Sequence, residues 1–173
     1  MEISKLTHSQ ILDLLRILKD SNDTRLRIKV RQELIELDQR ILVEILSKII
    51  NTEVDAEVLA YAAELIVDSD DKEKAHRILP LIRFADPALR QHVCGLLGNC
   101  NDDLAIDPLV ERLQKDESVD VRIAAAYALG KIGNKRALKV LNWAKDHDFS
   151  ADFEGRTVSE ISRMAIDEIT HSA

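Results

Sequence analysis

"VRIAAAYALGKIG", residues 121–133, has apolar side chains at helical spacing, yet Ala stands at positions 124, 125, 126 and 128. A helix with so little bulk on its buried side packs only where neighbouring backbones come very close, and Ala costs nothing in helix propensity. The stretch also recurs. "LRQHVCGLLGNC" (89–100) laid beneath "VRIAAAYALGKI" (121–132) sets Leu89 on Val121, Arg90 on Arg122, Val93 on Ala125, Leu97 on Leu129 and Gly98 on Gly130, an offset of 32. Cys100 then falls on Ile132, which makes it a small apolar filler.

The same template fits "LRIKVRQELIEL" (26–37), "VLAYAAELIV" (58–67) and "VSEISRMAIDEI" (158–169). Starting points at 26, 58, 89, 121 and 158 are spaced by 32, 31, 32 and 37, so the last interval holds an insertion of about five residues. Between the copies lie "ILDLLRIL" (11–18), "ILVEILSKII" (41–50), "AHRILPLIR" (75–83), "AIDPLVERL" (105–113) and "ALKVLNWAK" (137–145), each with i, i+3, i+4 recurrence over about three turns. The spacing predicts an all-α solenoid of about five helical hairpins in a single domain, 1–173, with units near 8–38, 41–67, 72–98, 104–132 and 136–170. In such a stack each unit contacts only its neighbours. "RLRIKVR" (25–31) alternates charged and apolar residues and alone reads as a strand, but the repeat register overrules it. "DSND" (20–23), "DSDD" (68–71), "NCNDD" (99–103) and "DES" (116–118) supply cap and turn residues between helices.

Composition agrees with helices. Hydrophobic residues make up 46% of the 173, aromatic residues only 3%, and there are five Gly and three Pro. The net charge of −7 repels phosphate backbones and anionic lipid, which argues against nucleic acid and points to a protein partner. No apolar run approaches the ~18 residues of a membrane span. "MEISKLTHSQ" has no apolar stretch of signal-peptide length, so the expected address is the cytoplasm, with Cys94 and Cys100 as reduced thiols.

"DESVDVRIAAAYALGKIG" (116–133) resembles the second-helix motif of HEAT repeats, in particular the short bacterial HEAT-like, phycobilisome-lyase-type repeats. The resemblance rests on Asp116, Val121, Arg122, Leu129, Gly130, Ile132 and Gly133, and is strongest over 86–146. The step near 32 is shorter than the ~40–47 of longer HEAT units. By that resemblance Asp116, Arg122 and Arg90, with Arg27 joining, form a structural ladder between repeats, interrupted where Leu59 and Ser159 replace the Arg. The resemblance also implies a concave face lined by second helices, with partner-facing residues Arg31, Ile35, Ala60, Glu64, Gln91, Gly95, Tyr127 and Lys131. Two other functions follow from it: a phycobilin lyase-type or antenna-protein chaperone, and a HEAT-like DNA-binding protein. "YAAEL" (61–65) is the nearest counterpart of the aromatic-rich lyase helices but has no Trp, and the charges of "RLRIKVR" do not form one helical stripe.

Catalytic and metal-binding patterns are missing. His8, His76, His92, His147 and His171 fall in different units, and no His-Glu dipeptide of the HEAT-like iron hydroxylases occurs. "DSDDKE" (68–73) has Lys72 at the fifth calcium-loop position and lacks the following Gly. Neither a phosphate-binding loop nor a zincin or nucleophile-elbow motif is present, so no cofactor, metal or catalytic residue is assigned and a non-enzymatic scaffold is expected. The segment that breaks the repeat, "NWAKDHDFSADFEGRTV" (142–158), holds Trp143, Phe149 and Phe153, half of the six aromatics. It reads either as a cap, its phenylalanines covering Trp143, or as a partner-binding patch.

Overall fold

The computed structural model describes residues 6–171. Among the described residues ten α-helices follow one another: α1 (His8–Asp20), α2 (Thr24–Ile35), α3 (Gln39–Thr52), α4 (Ala56–Asp68), α5 (Lys74–Ile78), α6 (Pro87–Cys100), α7 (Ile106–Lys115), α8 (Val119–Ile132), α9 (Leu138–His147) and α10 (Val158–His171). Among the described residues there is no strand, only an isolated bridge between Ala151 and Thr157. The chain divides into two compact units, Met1–Pro80 and Leu81–Ala173.

In the first unit α1 packs on α2, α3 and α4, and α3 and α4 pack on each other and on α5. The helix starts are set by short polar side chains. Thr7 forms a reciprocal capping box with Gln10, while Asp23, Asp38 and Asp55 each accept two backbone N–H groups of the first turn. Helix α2 confirms the helical register over "RLRIKVR", but the alternation has a consequence: only Val30 and Leu34 of this helix are buried. Leu26, placed on the apolar repeat position by the sequence, is exposed, as are Ile28 and Ile35. Helix α2 instead reaches α4 through polar contacts, Arg31 to Glu64 and Asp68, and Arg27 to the Tyr61 hydroxyl. The three-turn helix expected over 75–83 is also corrected. Regular α-helix stops at Ile78 and Leu79–Arg83 continues as a 3-10 helix, because Pro80 has no N–H to donate to an i−4 carbonyl and its ring crowds that turn.

In the second unit α6, α8 and α10 lie side by side as one layer. Helices α7 and α9 form the other, each paired with the helix that follows it. Helix α6 starts at Pro87 with Asp86 capping Leu89 N–H at 3.0 Å, and ends in left-handed Asn101 (φ 50°). Gly133, 32 residues on, closes α8 in the same conformation (φ 73°), so both helices stop at a position suited to Gly or Asn.

The thin side of α8 is explained by its neighbours. A methyl group added at Gly98 would sit 3.0 Å from the Ala128 Cα, and one at Gly130 would sit 2.7 Å from Ala165 Cβ and 2.8 Å from its Cα. The three second helices therefore touch backbone to backbone along Gly98–Ala128 and Gly130–Ala165. Ala125 is fully buried on α8, and the matching position on α10, four residues after its leading Val, is Ser162. Its Oγ is buried with no hydrogen-bond partner. Ser162→Ala removes that desolvated hydroxyl and improves helix propensity, so it is expected to raise stability by about 1 kcal/mol. Urea denaturation checks this: a lower midpoint for the variant would mean that the hydroxyl is satisfied.

Candidate functional site

Two sets of residues share the second-helix layer of the Leu81–Ala173 unit, one joining the hairpins and one facing outward. The joining set is built on arginines near the starts of α6 and α8. Arg90 Nη1 donates to the carbonyls of Phe84 and Ala85, at 2.9 and 2.8 Å. Its Nε and Nη2 grip both oxygens of Asp116 at 2.9 and 2.8 Å. Arg122 repeats the arrangement, donating to the carbonyls of Asp116 and Glu117 at 2.8 and 3.3 Å and to the Asp148 carboxylate at 2.8 Å. Each arginine thus ties the turn before its own helix to the turn of the next hairpin.

Asp116 is the most constrained member. Its side chain is only 1% exposed and also accepts from Arg112 at 3.2 Å and from the Ser118 N–H at 3.0 Å. Burial by itself pushes this carboxyl up, but the Arg90 hydrogen bonds, the Ser118 N–H and the two guanidinium charges together hold it below the ordinary carboxylate range. Asp148 follows the same balance, with burial opposed by Arg122 and Ser150. The sequence reading missed Asp148, although it lies 32 residues after Asp116. Arg27 has a different partner: it donates to Tyr61 and lies 5.7 Å from the centre of its ring. Leu59 is buried in α4, and the Ser159 hydroxyl donates to the Lys145 carbonyl.

The outward set forms stripes. Between its two ends, and apart from the half-buried Arg122 of the joining set, helix α8 is open only along Asp120, Ala124, Tyr127 and Lys131, which recur at i, i+4, i+7 and i+11. The matching stripe of α6, 32 residues earlier, is Ala88, His92, Gly95 and Asn99, and α10 adds Ile161, Met164 and Glu168. Tyr127 is 49% exposed, and the Lys131 ammonium donates to Asn99 across the two helices. Because Gly95 and Ala124 have no bulk, a shallow depression of ≈ 440 Å³ opens between α6 and α8, lined also by Ala88, Gln91 and His92. Gln91 edges this depression rather than sharing the stripe; its counterpart Ile123 is buried. Arg31, Ile35 and Glu64 belong to the other unit, where Arg31 bonds to Glu64 at 3.2 Å and Ile35 is exposed.

The C-terminal aromatics do not form a cap. Trp143 is 48% exposed, Phe149 68% and Phe153 92%, so the phenylalanines leave the indole uncovered. The loop's own polar groups account for this. The Asp152 carboxylate accepts the N–H groups of Glu154 and Arg156 at 3.0 and 2.9 Å and the Arg156 guanidinium at 2.7 Å, and Gly155 turns the chain at φ 82°. With the turn held by Asp152, the rings project outward. Trp143 instead stacks on His147, with centroids 5.3 Å apart and planes 11° from parallel.

Burial pushes the Cys94 thiol up to about 12, leaving it protonated and unreactive, and neither cysteine is in a disulfide. Among the described residues no group of His, Cys, Asp or Glu is arranged to hold a metal, and no helix is long and apolar enough to cross a membrane.

Residues 75–151 match the family model of HEAT repeats. That segment contains Arg90, Asp116, Arg122 and Asp148, the whole of the arginine–aspartate ladder. Among solved structures, the chain is similar to the crystal structure of an engineered protein, a structural-genomics target, with 21% identity and a TM-score of 0.52 over 95% of this chain and 81% of that one. This likeness concerns the fold. No curated protein matches the chain.

Proposed function

We propose that this protein is a non-enzymatic scaffold that binds another protein on the second-helix face of its HEAT repeats. One observation carries the reading: the middle of α8 is buried except along one stripe, which presents Tyr127 beside the depression at Gly95 and Ala124. A half-exposed aromatic next to a concavity floored by small residues is the arrangement that anchors a partner side chain. The repeat step near 32 supports the short bacterial variety of the repeat. The two thiols outside any disulfide suit a reducing compartment, and we place the protein in the cytoplasm.

The test is comparative capture from the native host. A methyl added at Gly95 meets nothing within 4 Å, so Gly95→Gln fills the depression without disturbing the helix. Proteins captured by the wild type are expected to be lost with Gly95→Gln and with Tyr127→Ala, and retained with Ile28→Ala on α2. A capture profile identical for all four proteins would remove the reading.

A further inference from the structure

A second surface lies on the opposite layer of the same unit. Helices α7 and α9 leave between them a groove of ≈ 320 Å³, lined by Ile106, Val110, Val140 and Trp143 with Asp107, Gln114, Arg136 and Lys139 at its rim. The floor is aliphatic and one wall is the exposed indole. His147 stacks on that indole and its Nδ1 lies 2.9 Å from the Trp143 carbonyl oxygen, which orients the ring pair before any ligand arrives.

The charge around this groove runs against the chain as a whole. The protein carries −7, yet the charged residues lining the groove are Arg136 and Lys139 against a single acid, Asp107. Most cations of the Leu81–Ala173 unit are engaged: Arg90 and Arg112 on the buried Asp116 carboxylate, Arg122 on the half-buried Asp148, Lys131 on Asn99, Arg156 on Asp152. Lys135, in the 3-10 turn that leads into α9, and Lys139, in the first turn of α9, have no partner among the described residues. Lys139 and Trp143 stand at i and i+4 on α9, and both line the groove. The acids beside them are already neutralised, Asp107 by Arg136 at 2.8 Å and Glu111 by Arg83 at 3.2 Å.

We infer that the α7–α9 groove docks an acidic peptide segment of a partner protein, one bulky apolar side chain entering against Val110, Val140 and Trp143 while flanking carboxylates meet Lys135 and Lys139. Charge complementarity selects the sign of the segment. The aliphatic floor selects a protein side chain as the buried group, since the one alkyl substituent on a standard DNA base, the thymine methyl, is far too small to fill the groove. This surface is separate from the α6–α8–α10 face, so the two inferences stand or fall independently.

Trp143 is the only Trp, so its emission reports on this groove alone. A random peptide display library would be selected on the full chain, with counter-selection against the doubly reversed variant Lys135→Glu/Lys139→Glu. Selected peptides would then be titrated while following Trp143 emission. Both lysines are exposed and unpaired, so the variant is expected to keep the wild-type circular dichroism and melting curve. The expected peptides carry Asp or Glu around a Leu, Ile, Phe or Trp, shift the emission saturably, and bind about tenfold or more weaker to the reversed variant and at raised ionic strength. Tyr127→Ala is expected to leave their binding unchanged. Failure to enrich any sequence, enrichment of basic or uncharged peptides, peptides that bind without moving Trp143 emission, or an oligothymidylate that moves it as strongly as the acidic peptides would each overturn the inference.

Discussion

Replacing Asp116 with Ala is expected to destabilise the protein by about 3–5 kcal/mol, the usual consequence of removing one partner from a buried ion pair. The size follows from what is left behind. Arg90 loses two charge-assisted hydrogen bonds at 2.9 and 2.8 Å, Arg112 loses one, and the Ser118 N–H loses its acceptor. Asp116→Asn retains an acceptor for some of these donors and is expected to cost less. Chemical denaturation measures both, and an Ala variant within about 1 kcal/mol of wild type would show that the contacts are no more than an ordinary surface pair.

The same carboxylates give a pH dependence with a definite sign. Asp116 and Asp148 are held below their ordinary values in the folded state. Their stabilisation is therefore fully present above the unfolded value, about 3.9, and is lost as pH falls through the lower folded value. Wild-type stability is expected to decline below about pH 4, and the Asp116→Ala variant to decline less steeply in that window. Parallel curves for the two proteins would show that Asp116 does not carry the acid sensitivity.

The second large effect belongs to Gly130. Its missing side chain is what lets α8 meet α10, because an added Cβ lies 2.7 Å from Ala165 Cβ and 2.8 Å from its Cα. The obstacle on α10 includes backbone, which cannot rotate away. Gly130→Leu is expected to force the helices apart and cost about 3 kcal/mol, the upper end of ordinary overpacking. Gly95 supplies the control. It is also mid-helix, but a methyl there meets nothing within 4 Å, so Gly95→Ala is expected to stabilise by about 0.5–1 kcal/mol through helix propensity. Thermal and urea unfolding of the pair would show opposite signs. Equal shifts would mean that helix propensity governs both positions.

The repeat made the fold readable, because a period near 32 states which residues are equivalent before any contact is known. It failed where one residue overrides the pattern. Pro80 shortens α5 while leaving the apolar spacing of 75–83 intact, and the alternation in "RLRIKVR" keeps α2 helical yet leaves Leu26 and Ile28 exposed. Ser162 lies in perfect register with Ala125, but register says nothing of an unsatisfied hydroxyl. Tyr127, Lys131 and Gly95 are legible in the sequence as outward positions, whereas on α6 the stripe passes through His92 rather than the neighbouring Gln91. The α7–α9 groove had no sequence signal. It arises from the gap between two helices 32 residues apart, and no segment contains it by itself.

On α8, Arg122 and the alanines that hold the hairpins together occupy different azimuths from Tyr127 and Lys131, which look outward. Cohesion and recognition are therefore written in separate columns of one short text. Mutation is free to redraft the recognition column, exchanging one target for another, while the architecture beneath it stays legible to the folding chain.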